Sequence, residues 1–480
     1  MKTINLRELV ITSENQEIVY NSEDTMKTMQ LKEAYDGGLI PDWAAPAQQY
    51  EEMMLGPIMT MMRRGVQIDV AKRDELVIGL RKRQKQINET FDTICEDLFG
   101  TTINYNSTPQ MLALFYQFLG VPEQTKSKKG TVKVATDREI LEKIAASYPR
   151  GAVFANLILR LRDLEKQIEF LTKKLSPSNR FHTSYNIAGT ETFRLSSSEH
   201  PLRMGSNQQN IPAEARQCFV ADPGYTFFQA DQAGAEARYV AYDSGDANYI
   251  VACDSGDAHT MVASMVFGFE PIRELAEREY RRGKSYRQAS KSGSHGTNYF
   301  GKPYTLAKQM GVDTATAEEF QSKYFRKFPG ISDWHAAIAN QLQTKGYLTN
   351  AFGFRRNFWG RKWDDATLRE AIAFGPQSVV GILTNLVMQK LWEKYEGQPG
   401  APVQILMNGH DAVIGQVRSD RVAELVPAIL EDLRFPFEVT DVKGVTRMLT
   451  IPFDMEVGQN WGKYGETNPG GLRKWVPKKE

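Results

Sequence analysis

Cysteine is scarce: three in 480 residues, Cys95, Cys218 and Cys253, far apart and without a partner at CxxC spacing. That argues against a disulfide framework and against a zinc site, and leaves them as small buried hydrophobes. Long apolar runs are missing too. No run approaches the roughly 18 to 20 residues of a membrane span, and the opening MKTINLRELV has no apolar core of a signal peptide, so no membrane partner and a cytoplasmic site are expected. There is no excess of either charge, because 59 Lys and Arg meet 58 Asp and Glu. A net charge of +1 announces no polyanionic partner, although an average can hide local basic faces. Internal repeats and low-complexity tracts are also lacking. What remains, 41% hydrophobic and 24% charged, is the balance of an ordinary soluble chain long enough for several subdomains.

Two basic stretches stand out: TKSKKGTVK (125 to 133), read as a glycine-containing loop, and RRGKSYRQASK (281 to 291), which runs into a helical pattern. Each is also what a solvated surface looks like. The first 45 residues are polar, end near IPDWAAPAQQ, and read as a small appendage with a linker. EMMLGPIMTMMRRGVQID predicts a helix ending at Gly65. Leu157, Leu161, Leu164, Ile168, Leu171 and Leu175 alternate steps of four and three, the seam of a long helix, with Arg160, Lys166, Lys173 and Lys174 mostly off it. From about 215 to 242 short apolar runs with turns suggest strands, and from 246 to about 345 helical periodicity returns. Beyond 346 the pattern mixes a hairpin (GYLTNAFGFRRNFW), a long helix (EAIAFGPQSVVGILTNLVMQKLWEKY) and a second hairpin. The class is α+β, a strand-rich platform interrupted by helical insertions. The twin DSGD at 243 to 246 and 254 to 257 is read as helix capping ahead of metal binding.

The second hairpin, ILMNGHDAVIGQV (405 to 417), places Asn408-Gly409 as the turn and then His410 and Asp411 directly before an apolar strand. A charge there is costly to bury without a partner. Asp411 is either a satisfied turn aspartate or a metal ligand. GYTFFQADQAGAEAR (224 to 238) likewise ends an apolar strand in Asp231. Two strand-borne carboxylates converging on one point are what two-metal phosphoryl transfer requires. Between them, in YRQASKSGSHGTNYF, Arg287, Lys291, His295 and Tyr299 recur every four residues and fall on one helical stripe. That stripe suits a triphosphate at one end and a base at the other; a solvated amphipathic face is the plainer alternative. Gly293 and Gly296 weaken the helix, each at a cost of about 1 kcal/mol relative to alanine.

With these residues in place the chain resembles the polymerase portion of family A DNA polymerases, the DNA polymerase I family, from about Glu51 to Trp461, through several motifs in the same order. FRLSSS with NQQNIP is similar to the segment leading into the palm, DQAGAEAR to motif A, DAHTMVASMVFG to the fingers helix, the stripe to motif B and His410-Asp411 to motif C. The resemblance implies a right-hand fold with an antiparallel-sheet palm and helical fingers and thumb. It implies residues 46 to 185 as the start of the polymerase region with the thumb, 186 to 245 as palm, 246 to 345 as fingers and 346 to 480 as palm again. It implies template-directed addition of dNTPs to a primer 3′-hydroxyl with two Mg²⁺ ions, Mn²⁺ being able to substitute. Asp231, Asp411 and the Gln232 backbone carbonyl would be metal ligands. Lys291 would be catalytic, and Arg287, Lys291, His295, Tyr299, Glu236, His259 and Gln232 would hold the nucleotide, with Glu236 excluding the sugar 2′-hydroxyl. Arg194, Arg369, Gln377 and His410 would contact primer-template DNA.

Three positions depart from the family pattern. Ala412 stands where motif C usually has a second carboxylate, His295 where motif B usually has phenylalanine or tyrosine, and Ala373 where asparagine is common. IVYNSEDTMKTMQL resembles the last helix of a 3′–5′ proofreading domain, with Tyr20 and Asp24 in its final motif. Residues 1 to 45 are then a relic, a fragment completed by a separately encoded exonuclease, or an accidental likeness, and no complete proofreading site is expected. A compact chain of this kind suggests a phage protein working in a bacterial cytoplasm, with replisome proteins as further partners. The alternatives are a single-subunit RNA polymerase, against which Glu236 and FRLSSS speak, and a catalytically silent DNA-binding relative, which Ala412 keeps open.

Overall fold

The computed structural model describes residues 25–30, 32–33, 37–38, 41–128, 131–281, 283–398 and 400–476. Tyr20 and Asp24, and with them the proofreading-like motif, lie outside the described residues. The chain divides into two compact units: one holds 1–54, 240–379 and 438–447, the other 55–239, 380–437 and 448–480.

The second of these is built on a five-stranded antiparallel sheet. Its strands are β1 (Tyr225–Gln232), β2 (Val403–Asn408), β3 (Ala412–Arg418), β4 (Phe453–Gly458) and β5 (Arg473–Lys474), in the order β2-β3-β1-β4-β5. β1 is central because almost every residue in YTFFQADQ has somewhere to be buried; Phe227, Phe228 and Ala230 are fully enclosed. Phe227 joins Ile414, Met407, Phe219 and Trp461 in one core. A second core lies among α1 (Val70–Phe99), α2 (Arg138–Ser147) and α3 (Pro149–Leu171). α3 starts at Pro149, where a missing N–H costs nothing. Its buried line is Phe154, Ile158, Leu161 and Leu164, one position off the expected seam at its start, and Leu175 falls beyond the helix end. Arg160, Lys166 and Lys174 are exposed.

Other expectations need correction. TKSKKGTVK is a β-hairpin, Thr125–Lys128 paired with Thr131–Val134, not a loop. The strand pattern does not continue to 242: residues Ala213–Cys218 form a 3-10 turn and Ala235–Ser244 a helix. Among the described residues one helix, Asp365–Glu396, is long and apolar enough to cross a membrane by composition, its most apolar 18-residue window having mean hydropathy 1.5. Some 78% of that apolar window is buried inside the protein, so the apolar residues serve a core. None of the three cysteines forms a disulfide and all are buried, and burial pushes the Cys95 and Cys218 thiols up to about 11 and 12.

The helical unit contains α4 (Ala258–Phe267), α5 (Tyr286–Asn298), α6 (Pro303–Met310), α7 (Thr314–Lys327) and the first part of α8 (Asp365–Leu391). Both DSGD repeats end in caps. Asp246 accepts from Tyr249 N at 2.9 Å and Asp257 from Thr260 N at 3.2 Å, each satisfying an orphan donor of the first turn. α5 opens with a full capping box between Ser285 and Gln288. Gly293 and Gly296, weak helix formers, are buried where α5 meets its neighbours: a side chain at 293 would overlap the Phe320 ring of α7, and one at 296 would overlap Leu306 of α6.

Candidate active site

In the sheet unit, Asp231 is the next-to-last residue of β1 and pairs directly with Ala412 of β3 on one side and Asp454 of β4 on the other. Directly opposed residues share a sheet face. Asp411 lies one residue outside β3, and its carbonyl accepts the Gln232 N–H at 2.9 Å, which ties the two carboxylate-bearing segments together. The β2–β3 connection is not the expected two-residue Asn-Gly turn. Asn408 is still in the ladder, opposite Val413, and the turn is Gly409-His410-Asp411, with His410 at φ 71°.

A non-glycine residue in that left-handed region needs outside support. It has several partners. Asn408 Oδ1 accepts the His410 N–H at 3.0 Å, and Thr384 Oγ1 of α8 donates to the His410 carbonyl at 2.9 Å. Gln209 Nε2 sits 3.4 Å from His410 Nδ1, while Asn408 Nδ2 donates to Asn385 at 2.9 Å. The Gln232 side chain turns to the other face, where Nε2 donates to Val380 O and to Thr384 Oγ1.

Burial pushes the Asp231 carboxyl up to about 7, and the charges of Asp411, Asp454 and Glu456 add to the effect. Burial also raises Asp411, against the pull of Arg194. For His410 burial is again the main cause and, with Arg194, lowers its pKa. Two carboxyls held in conditions hostile to their own charge fit a site that a cation completes.

A cavity of about 250 Å³ is lined by Gln229, Asp231, Ala233, Asp454, Glu456 and Lys474, with Lys474 Nζ bonded to Asp454 at 3.1 Å. Asp454 and Glu456 are not among the residues expected at the site from the sequence. Their signal was present in FDMEVG, where two acids alternate with apolar residues and so share one strand face. Arg194, expected on DNA, and Glu236, expected at the nucleotide sugar, are ion-paired at 2.6 Å.

In the helical unit the stripe forms as expected, except that Tyr299 is the residue capping α5 rather than part of it. The Arg287 guanidinium donates twice to Asp257 Oδ1, at 3.2 and 3.1 Å. Burial alone would raise Asp257, but hydrogen bonds from Arg287, Thr260 and Arg273 outweigh it and hold the carboxyl well below its ordinary range. His259, on α4, is lowered to about 4 by burial and by the Arg287 and Lys291 charges, so it is neutral at pH 7. Lys291 and His295 are exposed, and the His295 and Tyr299 rings meet edge to face with centroids 4.8 Å apart. Behind them Asn298 anchors the helix end, donating to Tyr249 and accepting from Tyr324 at 2.9 and 2.8 Å. Arg369 is exposed and Gln377 half-buried, both on α8.

A profile of DNA polymerase family A matches residues 75–463. The chain belongs to that family. It is 29% identical to the thermostable DNA polymerase I of Thermus filiformis over 429 residues, 86% of this chain and 47% of that protein. It is 29% identical to DNA polymerase I of Chloroflexus aurantiacus over 466 residues, 92% of this chain and 46% of that one. The chain thus spans about half the length of the curated relatives it matches. Its fold is that of the POL domain of Pol1 from M. smegmatis, solved in complex with DNA primer-template and dNTP. The TM-score is 0.70 at 24% identity, covering 90% of this chain and 72% of that one.

Proposed function

We propose that this chain is a template-directed DNA polymerase that joins dNTPs to a primer 3′-hydroxyl. The observation that carries the reading is the delivery of Asp231 and Asp411 by adjacent antiparallel strands, both carboxyls raised by burial. A pair of hard oxygen donors with the Gln232 carbonyl nearby fits Mg²⁺, which takes one or two carboxylates and fills its octahedron with water and substrate phosphate. Among the described residues no group of three or more His, Cys, Asp or Glu side chains could hold an ion by itself, which suits that mode. Asp231, Asp411 and the Gln232 carbonyl would hold two such ions, which when bound lower the pKa of the attacking hydroxyl and neutralise charge on the leaving pyrophosphate; Mn²⁺ would substitute.

The chain's own groups do the rest. Arg287 and Lys291, one helical turn apart, bind the triphosphate and offset the charge that builds on it. Neutral His259 offers a ring nitrogen to the same phosphates. Tyr299 and His295 present ring surface to the base pair and sugar. Glu236 occupies the space of a 2′-hydroxyl, and Arg194, Arg369, Gln377 and His410 position the duplex.

The test is extension of a labelled primer with dNTPs or NTPs by the native protein and by Asp411→Asn. Extension with dNTPs alone, abolished by the substitution, is expected. A second reading, a silent DNA-binding relative, is favoured by one observation: Ala412, buried and directly opposite Asp231, brings no carboxylate. Tight primer-template binding with no extension would establish it. Extension with NTPs would overturn the sugar assignment.

A further inference from the structure

Trp359 is 91% exposed and Trp363 78% exposed, the two most solvent-facing large hydrophobic side chains among the described residues. They belong to the turn that links the hairpin Tyr347–Thr349/Arg355–Asn357 to α8, within the run RRNFWGRKW. The turn is held in place rather than loose. Phe358, between the hairpin and the turn, is only 6% exposed and packs edge-on against Phe374 of α8, with centroids 6.4 Å apart. Its N–H donates to the Gly346 carbonyl at 2.9 Å, and the Arg356 guanidinium covers its ring at 4.6 Å. A further hydrogen bond, from Asp364 N to Arg361 O at 2.9 Å, closes the turn on which Trp363 stands. An anchored phenylalanine thus fixes a segment that holds two indoles in water.

The charges around the indoles are mixed, with the Asp364 carboxylate exposed directly after Trp363. Arg356 is paired with Glu370 at 2.9 Å, and Asp365 at the start of α8 is paired with Lys302. Arg361, between the two tryptophans, is exposed, and Lys362 is half-buried beside it. The Lys302–Asp365 pair also places the turn next to the exit of α5, three residues after Tyr299.

We propose that this turn is a stacking site for single-stranded nucleic acid. Exposed aromatic faces interleaved with cations bind unstacked bases and their phosphates without sequence preference. A duplex hides its base faces, so the indoles have nothing to stack on there. A protein interface would need a contiguous apolar patch around its aromatic anchors, whereas the neighbours here are Gly360, Arg361, Lys362 and Asp364. Resting on the polymerase reading, the natural occupant is the template strand ahead of the primer end, which passes Tyr299 before it reaches Lys302 and the turn.

The experiment measures binding of fluorescent oligo-dT, of primer-template with a long 5′ overhang, and of blunt duplex to the native protein and to Trp359→Ala/Trp363→Ala. Both side chains lie outside the core, so the variant is expected to fold, and circular dichroism checks it. Expected is a loss of at least about tenfold on oligo-dT and on the overhang substrate, the worth of one stacked base, with blunt duplex unchanged within about twofold. Arg361→Ala/Lys362→Ala should make the salt dependence on oligo-dT shallower by about 1.4 in log–log slope, two contacts at 0.7 each. Unchanged oligo-dT affinity in the tryptophan variant overturns the proposal, as does an equal loss on blunt duplex, and so does loss of self-association or of vesicle binding in its place. Extension on a template with a one-nucleotide overhang reads the polymerase assignment separately. If the native protein binds oligo-dT through the tryptophans yet never extends, that assignment falls and the stacking site stands.

Discussion

Arg194 and Glu236 form a half-buried ion pair, Nη2 to Oε1 2.6 Å, between the segment leading into β1 and the helix that follows it. The pair ties a residue expected on primer-template DNA to one expected at the nucleotide sugar, and it holds the Glu236 carboxylate in one orientation. Glu236→Ala should lower the ratio of kcat/KM for dNTPs over NTPs by about ten- to a hundredfold, the range a pocket achieves against one added hydroxyl. Competing single-nucleotide incorporations read the ratio directly. A variant that loses activity with the ratio intact would show that Glu236 serves the ion pair alone.

Ala412 lies on the same sheet face as Asp231 and is 4% exposed. Ala412→Glu should lower the Mg²⁺ needed for half-maximal rate. In EDTA it should lower the Tm, because a further carboxylate joins a face where Asp231 is already pushed up to about 7. Added Mg²⁺ should recover that Tm. A Mg²⁺ titration matching the native one would refute the idea.

Gly293 is where helix propensity and packing disagree. Alanine there gains about 1 kcal/mol of propensity, but its Cβ would overlap the Phe320 ring, which is 1% exposed and has nowhere to retreat. Overpacking costs about 1–3 kcal/mol, so Gly293→Ala should be net destabilising in denaturant titrations. Gly79, by contrast, has open space beside it on α1, and Gly79→Ala should stabilise.

Asp243 accepts a hydrogen bond from Trp334 Nε1 at 2.7 Å, and burial, with the Asp441 charge adding, raises its carboxyl from 3.8 to about 6. Between those values the folded protein keeps a proton the unfolded chain has released, so this group makes stability fall as pH rises from about 4 to 6, with the full penalty above 6. Asp243→Asn keeps the acceptor and removes the charge. Its stability relative to native should be near zero at pH 4 and improve by at most about 3 kcal/mol at pH 7, at about 1.4 kcal/mol per pKa unit. An advantage independent of pH would place the effect elsewhere.

Local periodicity was enough to determine much of this protein. The α5 stripe, both DSGD caps, the Asp231 and Asp411 strand ends and the hairpin before α8 all follow from spacings of two, three or four residues, which backbone geometry converts into faces. Contacts between distant segments were not legible. Asp454 came to lie beside Asp231 only because β4 pairs with β1 across some 220 residues of chain. Arg194 met Glu236, and His410 took its left-handed turn under Thr384 and Gln209, through partners that no local pattern names. The two glycines that weakened α5 by propensity became points where its neighbours approach closely. Propensity is a property of one segment, and burial is a property of what arrives against it. Side-chain identity therefore determined which chemistry this chain carries, and tertiary pairing decided which of its charges meet.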